Sequence, residues 1–210
     1  MPPSPIVPLP APRPTATPVP PSPTPPPPTS ATKGADLRVA LNRLLMEHVV
    51  RAAAAMGAAL GKRDAEFQAA AAALDANLED LAKAVGSVYG ADAEKAFLPL
   101  WRKHIGFVVD YTTGLAAKDK AKQEKAVADL LAYTQEFGAF LNSANPNLPK
   151  DVVASLVKEH ILTLKAVIDA QAAGDANKAY MGLREAAAHM QKIADALAEA
   201  IVKQFPDKFR

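Results

Sequence analysis

From residue 36 onward, apolar residues recur at the i, i+3, i+4, i+7 spacing of one face of an α-helix. Leu37, Leu41, Leu44, His48, Ala52, Ala55 and Ala59 trace one such stripe. Phe97, Leu100, Trp101, His104, Val108 and Tyr111 trace a second, and Val153, Leu156, His160, Leu164 and Val167 a third. His189 shares a further stripe with Ala186, Ile193 and Leu197. No alternating segment competes as a strand, and Ala, Leu, Lys and Glu favour helix. The pattern predicts an all-α domain over residues 34–210, with six helices at roughly 36–60, 64–87, 92–117, 119–143, 149–173 and 176–204. Short polar breaks at Gly61-Lys62-Arg63-Asp64, Lys118-Asp119 and Gly174-Asp175 pair them as antiparallel hairpins, about 36–87, 92–143 and 149–204. Asp36 and Asp92, in repeated Gly-Ala-Asp triplets, read as N-caps. Pro149 suits a first helical position. Pro99, inside the third helix, should kink it or split off its first turn.

The three hairpins are copies of one another. His48, His104 and His160 stand 56 residues apart, and their surroundings recur with them. Leu41, Phe97 and Val153 precede them, then Leu44, Leu100 and Leu156, then Leu45, Trp101 and Val157. Val49, Ile105 and Ile161 follow, then Ala52, Val108 and Leu164. Self-similarity at a fixed period marks a repeat architecture, in which one hairpin cannot bury its apolar face and the copies must pack together. Glu47, Lys103 and Glu159, next to the histidines, should point outward.

All four histidines lie on core stripes, which leaves two readings open. Each is a core residue satisfied across the bundle, repeated by duplication, or they form a metal site. Imidazole is the commonest metal ligand near neutral pH. Helices in parallel register could bring the rings of His48, His104, His160 and His189 to one level, which suits zinc or copper. A haem would need an apolar slot, which Trp101, Phe107 and Tyr111 could line. Glu185, four residues before His189, could pair with it or share a ligand. Met46, Met56, Met181 and Met190 could offer sulfur to copper or simply fill gaps.

Residues 1–33 are a different kind of chain. They hold 15 of the 19 prolines, and only Arg13 and Lys33 carry charged side chains. Such a segment favours polyproline II, about 3.1 Å per residue, and reads as an extended arm or linker. Its Ser and Thr could carry glycans. Ile6, Val7, Leu9 and Val19 are apolar enough to dock on another subunit, giving a homo-oligomer or filament.

Charge and composition narrow the function. With 24 basic and 22 acidic side chains the net charge is +2, too balanced for binding nucleic acid by phosphate neutralisation. The run from Lys118 to Lys125 mixes Lys118, Lys120, Lys122 and Lys125 with Asp119 and Glu124, the pattern of a solvated helix start. No apolar run approaches the ~20 residues of a membrane span. Without cysteine there is no disulfide, thiolate site or Cys nucleophile. Ser87, Ser143 and Ser155 sit in no nucleophile turn. Glu-x-x-His and His-Glu-x-x-His are both absent.

The segments Glu47-His48, Trp101-Arg102-Lys103-His104-Ile105-Gly106-Phe107, Glu159-His160 and Gln204-Phe205-Pro206-Asp207-Lys208-Phe209 resemble a group of exported bacterial all-helical proteins with a low-complexity leader, some labelled copper amine oxidase-like. The resemblance spans roughly residues 36–209. It implies an extracellular or cell-envelope location and an all-helical fold, with no established activity. No topaquinone or copper-oxidase motif accompanies it, so no catalytic residue carries over. The expectation is a non-enzymatic structural or interaction module, tethered or assembled through its arm. The alternative is a protein that binds copper, zinc or haem through its histidines.

Overall fold

The computed structural model describes residues 32–210. Residues 1–31 of the expected proline arm, with its glycans and its docking on another subunit, fall outside that range, while its last two residues, Thr32 and Lys33, belong to the start of the first helix. Six helices follow in order: α1 Lys33–Leu60, α2 Asp64–Tyr89, α3 Ala91–Ala117, α4 Lys120–Ala144, α5 Lys150–Ala172 and α6 Ala176–Gln204. The described residues contain no strand.

Each helix packs on its sequence neighbours, and α6 returns to pack along α1. The bundle is therefore a closed ring rather than an open stack. The first helices of the three hairpins, α1, α3 and α5, also touch one another across the middle. The arrangement has approximate threefold character, with α1, α3 and α5 around the axis and α2, α4 and α6 in the gaps between them. Burial follows this plan. Leu44, Leu45, Val49 and Ala52 of α1, Phe97, Trp101 and Val108 of α3, and Val153, Val157 and Leu164 of α5 form one continuous core with Leu78, Leu130 and Ile193 of the outer helices.

The repeat reaches down to single dihedrals. Lys62, Lys118 and Gly174, 56 residues apart, end the first helix of each hairpin with φ of 54°, 55° and 72°. The next helices begin just beyond. Asp119 and Asp175 cap α4 and α6 by accepting from the amides of Lys122 and Lys178, while Arg63 opens α2 with no side-chain cap bond. Small residues occupy equivalent buried places on the outer helices: Ala82, Gly138 and Ala194. Gly138 lies so close to α5 that a Cβ there would stand 2.5 Å from the Lys150 carbonyl oxygen.

Three boundaries differ from expectation. α1 starts earlier, capped by the Thr32 hydroxyl, which accepts from the Ala35 amide, and α3 starts after Gly90 at φ 92°. Asp36 and Asp92 therefore lie inside first turns, where they favour the positive helix end without capping it. Pro149 is the N-cap of α5 rather than its first residue. Nor does Pro99 split α3, which runs unbroken through it. Pro99 and Lys95, whose carbonyl loses its amide donor, both lie on the exposed face, so water can replace that bond.

Candidate metal centre

The closed ring fixes what happens to a residue repeated every 56 positions on the inner helices. His48, His104 and His160 occupy equivalent turns of α1, α3 and α5, so all three reach the axis at one level. They are 0%, 2% and 2% exposed. The Nε2 atoms of His48 and His104 are 3.3 Å apart, and one nitrogen from each of the three rings lies within 4.8 Å of the others. Ring centroids are 5.3 Å apart for His48 and His104, 5.7 Å for His48 and His160, and 6.5 Å for His104 and His160.

Aromatic rings enclose the cluster. Trp101 lies edge-on to His104 at 4.5 Å and tilted against His48 at 5.1 Å. Tyr133 of α4 stacks on His104 at 5.3 Å, and Phe137 stacks on Tyr133 in turn. Polar partners are scarce. Nδ1 of His48, His104 and His160, the Trp101 indole nitrogen and the Tyr133 hydroxyl are all buried without a hydrogen bond. Most buried polar atoms in native proteins are satisfied, so five orphans at one place call for an explanation.

The environment keeps the cluster uncharged. Burial holds the His48 imidazole well below its ordinary pKa of 6.5, and its two neighbours add to the effect. Burial, with His160 beside it, lowers His104 to about 3, against an opposing pull from the Trp101 carbonyl, which the ring approaches without reaching hydrogen-bond geometry. His160 is lowered to about 4 by burial and by His189. At neutral pH all three rings are therefore neutral and carry a lone pair. Burial also raises the Tyr133 phenol well above its usual value, so it stays protonated.

His189 does not join the trio. It sits on outer helix α6, donates from Nε2 to the Leu156 carbonyl at 2.8 Å, and has Nδ1 3.2 Å from the Glu159 carboxylate. Its carboxylate neighbour is thus Glu159 on α5, not Glu185, which is exposed on its own helix. All three residues next to a cluster histidine turn outward as expected: Glu47 toward Arg43 and Arg51, Lys103 toward Glu136, and exposed Glu159 toward His189 and Lys192. Met46 and Met181 are exposed, away from the axis.

The sequence reading passed over Tyr133, yet the repeat points to it. Asn77, Tyr133 and His189 stand 56 residues apart on the three outer helices. Asn77 donates to the Leu44 carbonyl at 3.0 Å, just as His189 does to Leu156. Tyr133 makes no such bond. In the middle copy a ring that stacks on His104 replaces a side chain that ties two helices together.

The haem expectation does not fit. Trp101 borders a partly open cavity of about 70 Å³, but Phe107 and Tyr111 do not line it. That volume is well below the roughly 300 Å³ at the small end of ligand pockets. Tyr111 is instead bonded to Asp169.

What the arrangement can do chemically is donate three neutral nitrogens to one point. A tetrahedral ion with nitrogens at about 2.0–2.1 Å separates them by roughly 3.3 Å. The His48–His104 spacing already has that value. No carboxylate belongs to the group. No known protein family, curated protein or solved structure matches this chain, so the likeness to exported helical proteins rests on the sequence segments alone.

Proposed function

We propose that this protein binds one late first-row metal ion through His48, His104 and His160. The observation that carries the reading is the convergence of three buried, neutral imidazoles, each with a nitrogen within 4.8 Å of the others and two with nitrogens 3.3 Å apart. Three protein ligands leave a fourth position open. The donor set also favours an oxidation state. Three neutral ligands leave an ion with its full charge, and burial penalises a dication far more than a monocation. Cu⁺, which accepts imidazole donors, therefore suits the site better than Zn²⁺.

Untagged protein titrated anaerobically with Cu⁺ against a competing chelator, and separately with Zn²⁺, tests this. One equivalent of Cu⁺ should bind, with nitrogen-only ligation in X-ray absorption, and Zn²⁺ should bind more weakly. His48→Leu, His104→Leu and His160→Leu place an apolar side chain of similar bulk in the same buried position, so each should fold. Each should lower affinity more than about 100-fold, beyond the roughly 10–100-fold typical of an outer-shell partner. His189→Leu should leave binding within about that outer-shell range. Parent-like affinity in the three cluster variants would sink the reading.

A further inference from the structure

The cavity beside the histidines is bounded by all six helices, and its lining is almost wholly aliphatic and aromatic. Along α3 it runs from Ala93 to His104, ~16 Å at 1.5 Å per residue. Tyr89, Ala144 and Leu148 lie around one end, and Trp101, Tyr133, His104 and His160 around the other. A water molecule needs two to four polar partners to occupy such a space, and these walls offer none along most of their length. Apolar cavities of about 150 Å³ stay dry and accept benzene or xenon. At about 70 Å³ this one is too small for benzene and large enough for xenon or a diatomic gas.

We propose that the cavity is a binding chamber for one small, neutral, apolar molecule of the size class of dioxygen or carbon monoxide, held against the histidine cluster. The chamber stands on its own walls. Presentation of the molecule to an ion rests on the metal reading above. Two of the three ligand histidines, His104 and His160, border the chamber, so the chamber lies directly beside an ion held by the cluster. The aliphatic walls exclude water and charged solutes from that side of the ion while admitting molecules that water solvates poorly.

Xenon is the probe for the chamber. Methyl carbon–proton NMR spectra of the full-length, metal-free protein under increasing xenon pressure should show saturable shifts at Leu41, Leu81, Leu197 and Ile201. Exposed Val39 and Val152 should show none. Ala84→Leu adds aliphatic bulk to the chamber wall and should abolish the saturable shifts while Cu⁺ affinity is unchanged. Ala144→Leu serves if that variant does not fold. Absent shifts, or shifts spread evenly over the surface, overturn the chamber. Carbon monoxide then probes the copper-loaded protein: a single infrared band is expected, with affinity at least about tenfold lower in the filled variant. Equal affinity for carbon monoxide in both proteins overturns the presentation of the molecule to the ion. Saturable xenon shifts in a protein that takes up no copper would remove the metal reading and leave the chamber.

Discussion

Two tyrosines show how differently the same hydroxyl counts in this bundle. Tyr133 is buried beside His104 with its oxygen unpartnered, whereas Tyr111 donates to Asp169 and lies under the Lys165 ammonium. Removing a hydroxyl that has no partner relieves a desolvation cost, so Tyr133→Phe should be neutral or stabilising by up to about 1 kcal/mol in the metal-free protein. Tyr111→Phe removes a hydrogen bond to a carboxylate and should cost about 1–2 kcal/mol. Urea unfolding midpoints of the two variants give the comparison, and a destabilised Tyr133→Phe would mean the hydroxyl has a partner. At this scale the sequence spoke clearly about three residues and ambiguously about the fourth. The 56-residue interval singles out His48, His104 and His160. His189 shares their apolar setting but stands 29 residues after His160, off the period. Aligning it with Asn77 and Tyr133 would have placed it on an outer helix and drawn attention to Tyr133.

The turns between paired helices carry a mismatch that the repeat exposes. Gly174 takes a positive φ without penalty, but Lys62 and Lys118 hold the same left-handed conformation with a Cβ in the way. Lys118→Gly should therefore stabilise the protein by about 1 kcal/mol, since glycine is the residue this helix end prefers. A thermal or urea midpoint that fails to rise would show that the lysine side chain makes a compensating contact. The hairpins themselves were legible because their apolar period runs unbroken and polar residues interrupt it only at the turns. The helix starts were less so. Asp36 and Asp92 have a capping side chain, but Thr32 and Gly90 lie further upstream where the chain actually bends. A sequence pattern identifies residue types able to cap and not which of several neighbours adopts the extended dihedral. Pro99 misled for a related reason: its cost depends on whether the orphaned carbonyl is buried, and here it belongs to Lys95, an exposed residue.

Ring closure is the property of the whole molecule that the sequence left open. Tandem hairpins stack into an open array or close on themselves according to the rotation from one copy to the next, which no residue pattern states. Closure is also what turns three distant histidines into one cluster, and the cluster makes stability depend on pH. The unfolded chain protonates its histidines near 6.5, whereas folded His160 resists to about 4, folded His104 to about 3, and His48 is held well below its ordinary value. Below pH 6.5 the unfolded state thus binds more protons. Stability is full above that value and falls with acidification, by up to ~1.4 kcal/mol per pH unit for each ring. Urea unfolding at pH 7.5, 6 and 5 should show this decline, and a variant with leucine at all three positions should lack most of it. Equal slopes in the two proteins would contradict the burial of the cluster. The ring has one more consequence. The Gly34 amide donates to the Phe209 carbonyl at 3.1 Å, so the first and last described turns already touch. A gene that joins residue 210 to residue 32 through a short glycine–serine linker, and opens instead between Asn145 and Pro149, should encode the same bundle with α5 first. Far-ultraviolet circular dichroism and copper titration of that permutant should match the parent, because the present order of helices is one of several places at which the same circle can be cut.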